Sequence, residues 1–102
     1  GGYAVEAGDM LLQHAFGTLH RKQVWAYCDP GHRPAKYCVY ALGFDYLGDS
    51  LYDNHEASVY RVTESGWQAS KLRPAFDRKR EAIRCLRNEH PALFNDTLQA
   101  VS

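Results

Sequence analysis

The stretch CDPGHRPAKYC, residues 28–38, holds the residue types in this chain that are most able to do chemistry. Cys28, His32 and Cys38 offer two thiolates and an imidazole, which are good zinc ligands. A structural zinc site needs four ligands, however, and its paired cysteines are normally two to four residues apart. The two cysteines are therefore predicted to face each other as core residues of a hairpin. No metal and no cofactor is predicted.

A second set of candidates surrounds the acidic segment 45–58, which is rich in Asp, Asn, Ser and Gly and is predicted to be a loop. If the chain is an enzyme, His55 with either Glu56 or Asp53 is its best general acid–base pair. If the chain binds a small molecule or is an enzyme, the pocket is predicted between sheet and helices, lined by Tyr40, Tyr52 and His55. The sequence has no glycine-rich phosphate loop, serine-hydrolase elbow or zinc-protease motif, which favours a binding domain over an enzyme.

A basic segment, residues 71–88, carries seven basic and two acidic residues. Four of its arginines would form one stripe on a helix, and such a stripe can follow the phosphates of a nucleic acid. The competing interpretation is a solvated helix face with internal ion pairs, such as Glu81 with Arg84. A nucleic-acid-binding module is therefore the first alternative function. The stripe consists of Arg73, Arg80, Arg84 and Arg87.

The elements that would position these residues follow from hydrophobic spacing. Residues 9–21 have one apolar helical face, which predicts an N-terminal helix. A second helix is predicted to begin at Pro74 and to end before Pro91. Another short helix is predicted from Pro91 to Val101. The segments 23–28 and 35–44 are rich in aromatic and β-branched residues and predict a first hairpin. Residues 58–72 predict a second hairpin that turns at Ser65-Gly66.

Together these elements predict a single α+β domain over residues 1–102. It would have an antiparallel four-stranded sheet of two hairpins, with one N-terminal helix and one or two C-terminal helices packed on one face.

The first hairpin is predicted to be apolar on both faces, and a chain of 102 residues has little material to cover both. A second copy of the chain is the simplest cover. The leading prediction is therefore a small binding domain, homodimeric through an aromatic sheet face. The residues predicted to form that interface are Trp25, Tyr27, Tyr37 and Val39.

Charge and composition give predictions about partners and compartment. Twelve basic and twelve acidic residues leave no net charge, so long-range attraction to nucleic acid or to an anionic membrane is weak, and self-association is favoured. No apolar run reaches the length of a membrane span, and no membrane partner is predicted. Three cysteines and the lack of a leader pattern near the N-terminus favour a reduced, cytoplasmic protein.

Overall fold

A computed structural model describes residues 2–94, in which the core lies between a three-stranded sheet and a layer of helices. Helix α1 leads directly into a π-helical turn, and a 3-10 helix follows the last α-helix. In chain order the elements are α1 (Gly2–Gln13), the π-helical turn (His14–Thr18), β1 (Gln23–Cys28), α2 (Arg33–Ala41), β2 (Asp45–Tyr52), β3 (His55–Thr63), α3 (Glu64–Leu72), α4 (Ala75–Glu89) and the 3-10 helix (Pro91–Phe94).

The α+β class and the antiparallel sheet are confirmed, but the predicted four-stranded sheet of two hairpins is wrong. The sheet has three antiparallel strands in the order β1-β3-β2, and four α-helices accompany it within residues 2–94. Two segments predicted as strands are helices, and the segment predicted as a loop contains a strand.

The segment 35–44 was predicted to be a strand, and most of it is helix α2 instead. Its first turn contains Pro34, whose fixed φ suits a helix start, and the Nδ1 of His32 accepts a hydrogen bond from the Ala35 N–H at 3.1 Å. Its most buried side chains include Lys36 and Tyr40, which are four residues apart as on one helix face. The cap and this spacing outweigh the β propensity of the aromatic residues.

The hairpin predicted over residues 58–72 is also wrong. Strand β3 ends at Thr63, whose hydroxyl accepts a hydrogen bond from the Gly66 N–H at 3.3 Å and so caps helix α3. Ser65 and Gly66 therefore lie in the first turn of a helix and not in a strand turn. Trp67 and Ser70, three residues apart, are the buried residues of this helix.

The predicted loop 45–58 is largely a hairpin of β2 with β3. Its two-residue turn is Asp53-Asn54, and both residues have positive φ, as a type I′ turn requires. Strand β2 has many polar and exposed residues, which is why its composition resembles that of a loop.

The helices at the two ends agree with prediction to different degrees. The helix predicted between Pro74 and Pro91 is confirmed as α4. The N-terminal helix is present but begins at Gly2, well before the start predicted at residue 9. The second C-terminal helix was predicted from Pro91 to Val101; its first four residues form the 3-10 helix, and the rest lies outside the described residues.

The sheet has an inner face, covered by helices, and an outer face. Strand register places Tyr60 and Val62 of the central strand on the inner face, where both are fully buried beside α2 and α1. Along β1, half-buried and exposed residues alternate, so Trp25 and Tyr27 point outward. Helix α4 packs against α2 and so belongs to the layer of helices on the inner side of the sheet.

Candidate functional site

The outer face of the sheet carries three exposed aromatic side chains. Trp25 and Tyr27 on β1 are 45% and 47% exposed, and Tyr52 on β2 is 58% exposed. The rings of Tyr27 and Tyr52 stack at 4.6 Å, although they come from the two edge strands. They therefore meet over the central strand, where Val59 lies opposite Tyr27 in register and is only 8% exposed.

Charges on this outer face are of both signs. The guanidinium of Arg61 on β3 lies 5.9 Å from the ring centroid of Trp25, in cation–π geometry. Arg61 pairs in register with Trp25 on one side and with Asp45 on the other. The outer face thus combines aromatic rings with the guanidinium of Arg61 and the carboxylate of Asp45.

The two edges of the sheet differ in how they are protected. Strand β2 has a register shift between Tyr46 and Gly48, where Gly48 has a φ of 121°, and it carries two aspartates. Bulges and charges are common protection against pairing with another strand. Strand β1, QVWAYC, is paired without a shift over all six residues and contains no charge, glycine or proline. The edge of β1 therefore lacks the bulge and the charges that are found on β2.

The inner face holds a buried polar network centred on Lys36. This lysine is 0% exposed, and its Nζ donates to the Ser58 hydroxyl at 2.5 Å and to the Tyr60 hydroxyl at 3.2 Å. Ser58 in turn donates to Asp49 at 2.6 Å. Burial lowers the pKa of Lys36, and the hydrogen bond from Ser58 lowers the pKa of Asp49.

His90, at the C-terminal end of α4, closes the network. Its Nε2 lies 3.0 Å from the Tyr60 hydroxyl and 3.1 Å from the Tyr40 hydroxyl. Its ring and that of Tyr46 are in a T-shaped arrangement, with 4.6 Å between the ring centroids. In a neutral imidazole the unprotonated Nε2 has one lone pair, so it accepts a hydrogen bond from one of these two hydroxyls at a time. Burial, and then the nearby Lys36, lower the pKa of His90.

A lysine amine beside a serine hydroxyl could in principle activate that hydroxyl as a nucleophile. Here Lys36 and Ser58 are both fully buried, so a substrate cannot reach either group. Burial raises the pKa of Tyr46 to about 12, and donation to Asp49 adds to the effect, so this phenol is also protonated at neutral pH. The network therefore joins α2, the sheet and the end of α4 through buried hydrogen bonds.

We predict that this network makes stability depend on pH just below neutrality. The pKa of His90 is lower in the folded chain than its ordinary 6.5, so the unfolded state takes up the proton first. Its contribution is complete above pH 6.5 and is lost as pH falls below that value. Urea unfolding between pH 8 and pH 5 should show this decline, and H90Q should flatten it. An equal decline in H90Q would contradict the assignment.

The four residues predicted for the interface do not share one surface. Trp25 and Tyr27 lie exposed on the outer face. Tyr37 and Val39 belong to helix α2 and pack against the core on the inner side. The reason is the incorrect hairpin, which had placed all four on neighbouring strands.

The predicted pocket residues are also separated. Tyr52 and His55 pair at the exposed end of the β2–β3 hairpin, while Tyr40 is buried on the inner face beside His90. Tyr40 therefore belongs to the buried network and not to an open pocket with the other two.

The cysteine segment is divided between elements. Cys28 ends β1, His32 caps α2 and Cys38 lies within α2, so the two cysteines do not face each other across a hairpin. All three cysteines are free thiols. Within residues 2–94, no group of three or more His, Cys, Asp or Glu side chains is arranged to hold a metal ion.

The predicted arginine stripe is exposed, but its members have different surroundings. Arg84 pairs with Glu81, as the solvated-face interpretation expected, and Arg87 lies 5.4 Å from the ring centroid of Phe94. Arg73 lies before α4, in the link from α3. Arg78, which was not part of the predicted stripe, forms hydrogen bonds with Asp9 and with the Ala41 carbonyl.

Sequence reasoning missed Lys36, Ser58 and His90. Lys36 gave one signal, since it is the only charged residue in the apolar segment 35–44. A charge there needs buried partners whatever the secondary structure. His90 gave none, because its partner Tyr40 lies 50 residues away in the chain.

The chain matches no known family model and no curated protein. Among the helices of residues 2–94, none has both the length and the apolar character that a membrane span requires.

Proposed function

We propose that this chain is an interaction domain that binds a second copy of itself through β1, using the outer aromatic face and the unprotected strand edge together. The observation that carries the proposal is the difference between the two edges: β2 is bulged and charged, whereas β1 is regular and apolar. An exposed edge of this kind adds a strand readily. A continuous sheet across two copies would leave neither β1 edge exposed.

The charges that flank β1 favour a second copy in antiparallel orientation. Arg21 and Lys22 precede the strand and Asp29 follows it, and all three are exposed. Antiparallel pairing about a two-fold axis brings the basic end of each strand beside the acidic end of its partner, whereas parallel pairing brings like charges together. The absence of net charge on the chain also leaves no overall repulsion between copies.

The pleat limits the possible registers. Residues opposite each other in an antiparallel pair lie on the same face, so exposed residues must meet exposed residues. Two central registers satisfy this condition. In one, Trp25 meets Trp25 of the second copy. In the other, Ala26 meets its own counterpart, and Trp25 meets Tyr27 in two symmetric aromatic pairs.

Native Cys28 allows the proposal and its register to be tested by oxidation. Residue 22 faces Cys28 of the other copy in the first register, and residue 24 does so in the second. We expect either K22C or V24C to form a disulfide-linked dimer efficiently, because opposing Cα atoms in a sheet are within disulfide reach. The same variants with C28S are the matched controls and should lose that dimer. Efficient crosslinking by neither variant would contradict β1 pairing.

A further inference from the structure

A cleft opens on the helical side of the molecule, away from the proposed dimer surface. It lies where the first half of α1 and helix α2 meet the corner between α3 and α4, and its volume is about 690 Å³. Val5, Ala41 and Ala75, together with the ring of Tyr37, give it apolar walls. This size and lining suit a small organic molecule.

The cleft is also lined by six charged side chains. Arg78 and Asp9 are joined by two hydrogen bonds, of 2.6 and 2.9 Å, and neutralise each other. Three cations then remain against the single carboxylate of Glu6, and within residues 2–94 none of the three forms an ion pair. These three are Lys71, Arg73 and Lys79.

Two further features fit the cleft to an anion with an apolar part. The Nζ of Lys71 lies 4.4 Å from the ring centroid of Trp67, which is buried, so this ammonium is held against a fixed platform. Among the described residues the Tyr37 hydroxyl has no hydrogen-bond partner, so it is free to donate to a ligand oxygen.

From this arrangement we propose that the cleft binds a phosphate monoester carrying a small apolar or aromatic group. Such an ester carries nearly two negative charges at pH 7, which matches three cations opposed by one carboxylate. Arg73 and the two lysines are suited to the phosphate oxygens, while Val5 and Ala41 contact the apolar group. The cleft is formed by helices alone and does not depend on the sheet edge of β1.

Titration of the ¹⁵N-labelled chain with phenyl phosphate, followed by NMR, tests this proposal. We expect saturable shifts that centre on the amides of Tyr37, Ala41 and Arg73. R73Q and K79Q should each weaken binding by about fivefold or more, and R80Q, a neighbouring exposed arginine outside the lining, should not. Shifts that fail to saturate by about 10 mM, or that R80Q reduces equally, would overturn the site.

Two further ligands separate the contributions of charge and apolar surface. Inorganic phosphate, which lacks the ring, and benzoate, which carries a single charge, should both bind more weakly than phenyl phosphate. Equal affinity for inorganic phosphate would overturn the apolar part of the proposal, and equal affinity for benzoate would overturn the preference for a doubly charged group. The interpretation of these titrations does not depend on whether the chain is a monomer or a dimer.

Discussion

Replacing Arg78 with alanine should lower the free energy of unfolding by about 3 kcal/mol, the scale expected when one partner of a largely buried ion pair is removed. The Arg78 side chain is 15% exposed and that of Asp9 is 23% exposed. The guanidinium holds Asp9 of α1 by two bonds, and its Nε donates to the Ala41 carbonyl at the end of α2 at 2.6 Å. The Arg78 side chain therefore links α4 to both α1 and α2.

The loss should come from the unpaired groups that remain as well as from the missing bonds. Burial alone would raise the pKa of Asp9, but the hydrogen bonds from Arg78 and Trp67 lower it overall. Without Arg78 the Asp9 carboxylate keeps only the Trp67 indole N–H as its partner among residues 2–94. The Ala41 carbonyl loses its side-chain donor as well.

Arg80, two residues further along the same helix, is the matched control. It is exposed, and within residues 2–94 it forms no ion pair. R80A should change stability by no more than about 0.5 kcal/mol, as is usual for exposed positions. Urea unfolding of the two variants gives the comparison. Equal effects of R78A and R80A would mean that the observed contacts of Arg78 contribute nothing to stability.

The substitution W25E should weaken self-association at least about a hundredfold, or about 2.7 kcal/mol. Large aromatic residues near the centre of an interface commonly contribute this much. Trp25 would lie at or next to the two-fold axis in both registers, so two introduced carboxylates would be close together and would lose water. Within the chain Arg61 lies opposite position 25, where its positive charge is favourable for a glutamate. The folded monomer should therefore tolerate W25E.

F76E is the matched control for this effect. Phe76 is an exposed aromatic residue in the first turn of α4, where a carboxylate is also favourable for the helix. Self-association should be unchanged in F76E and reduced in W25E, while circular dichroism shows both folded. If F76E and W25E weaken association alike, general surface hydrophobicity is responsible and β1 is not the interface.

Local patterns predicted some elements well and failed at others for identifiable reasons. The aromatic and β-branched residues of segment 23–28 predicted a strand, and this segment is β1. In the segment 35–44, β propensity favoured a strand, but the His32 cap and the helical spacing of Lys36 and Tyr40 determine the conformation. Propensity is weak wherever caps and burial act together.

The candidate sites show the same limit. That β1 is an edge strand follows from the strand order, in which β3 lies between β1 and β2. The contacts of Arg78 with Asp9, 69 residues away, and of Tyr40 with His90 depend on how α4 packs. No spacing rule within one element contains such information.

Sedimentation equilibrium of the unaltered chain tests the central proposal most directly. Between about 1 and about 100 µM, the range in which a small interface of this kind would associate, the average mass should rise from that of one chain, 11.6 kDa, toward twice that value. A mass that stays at 11.6 kDa over the whole range would contradict self-association through β1.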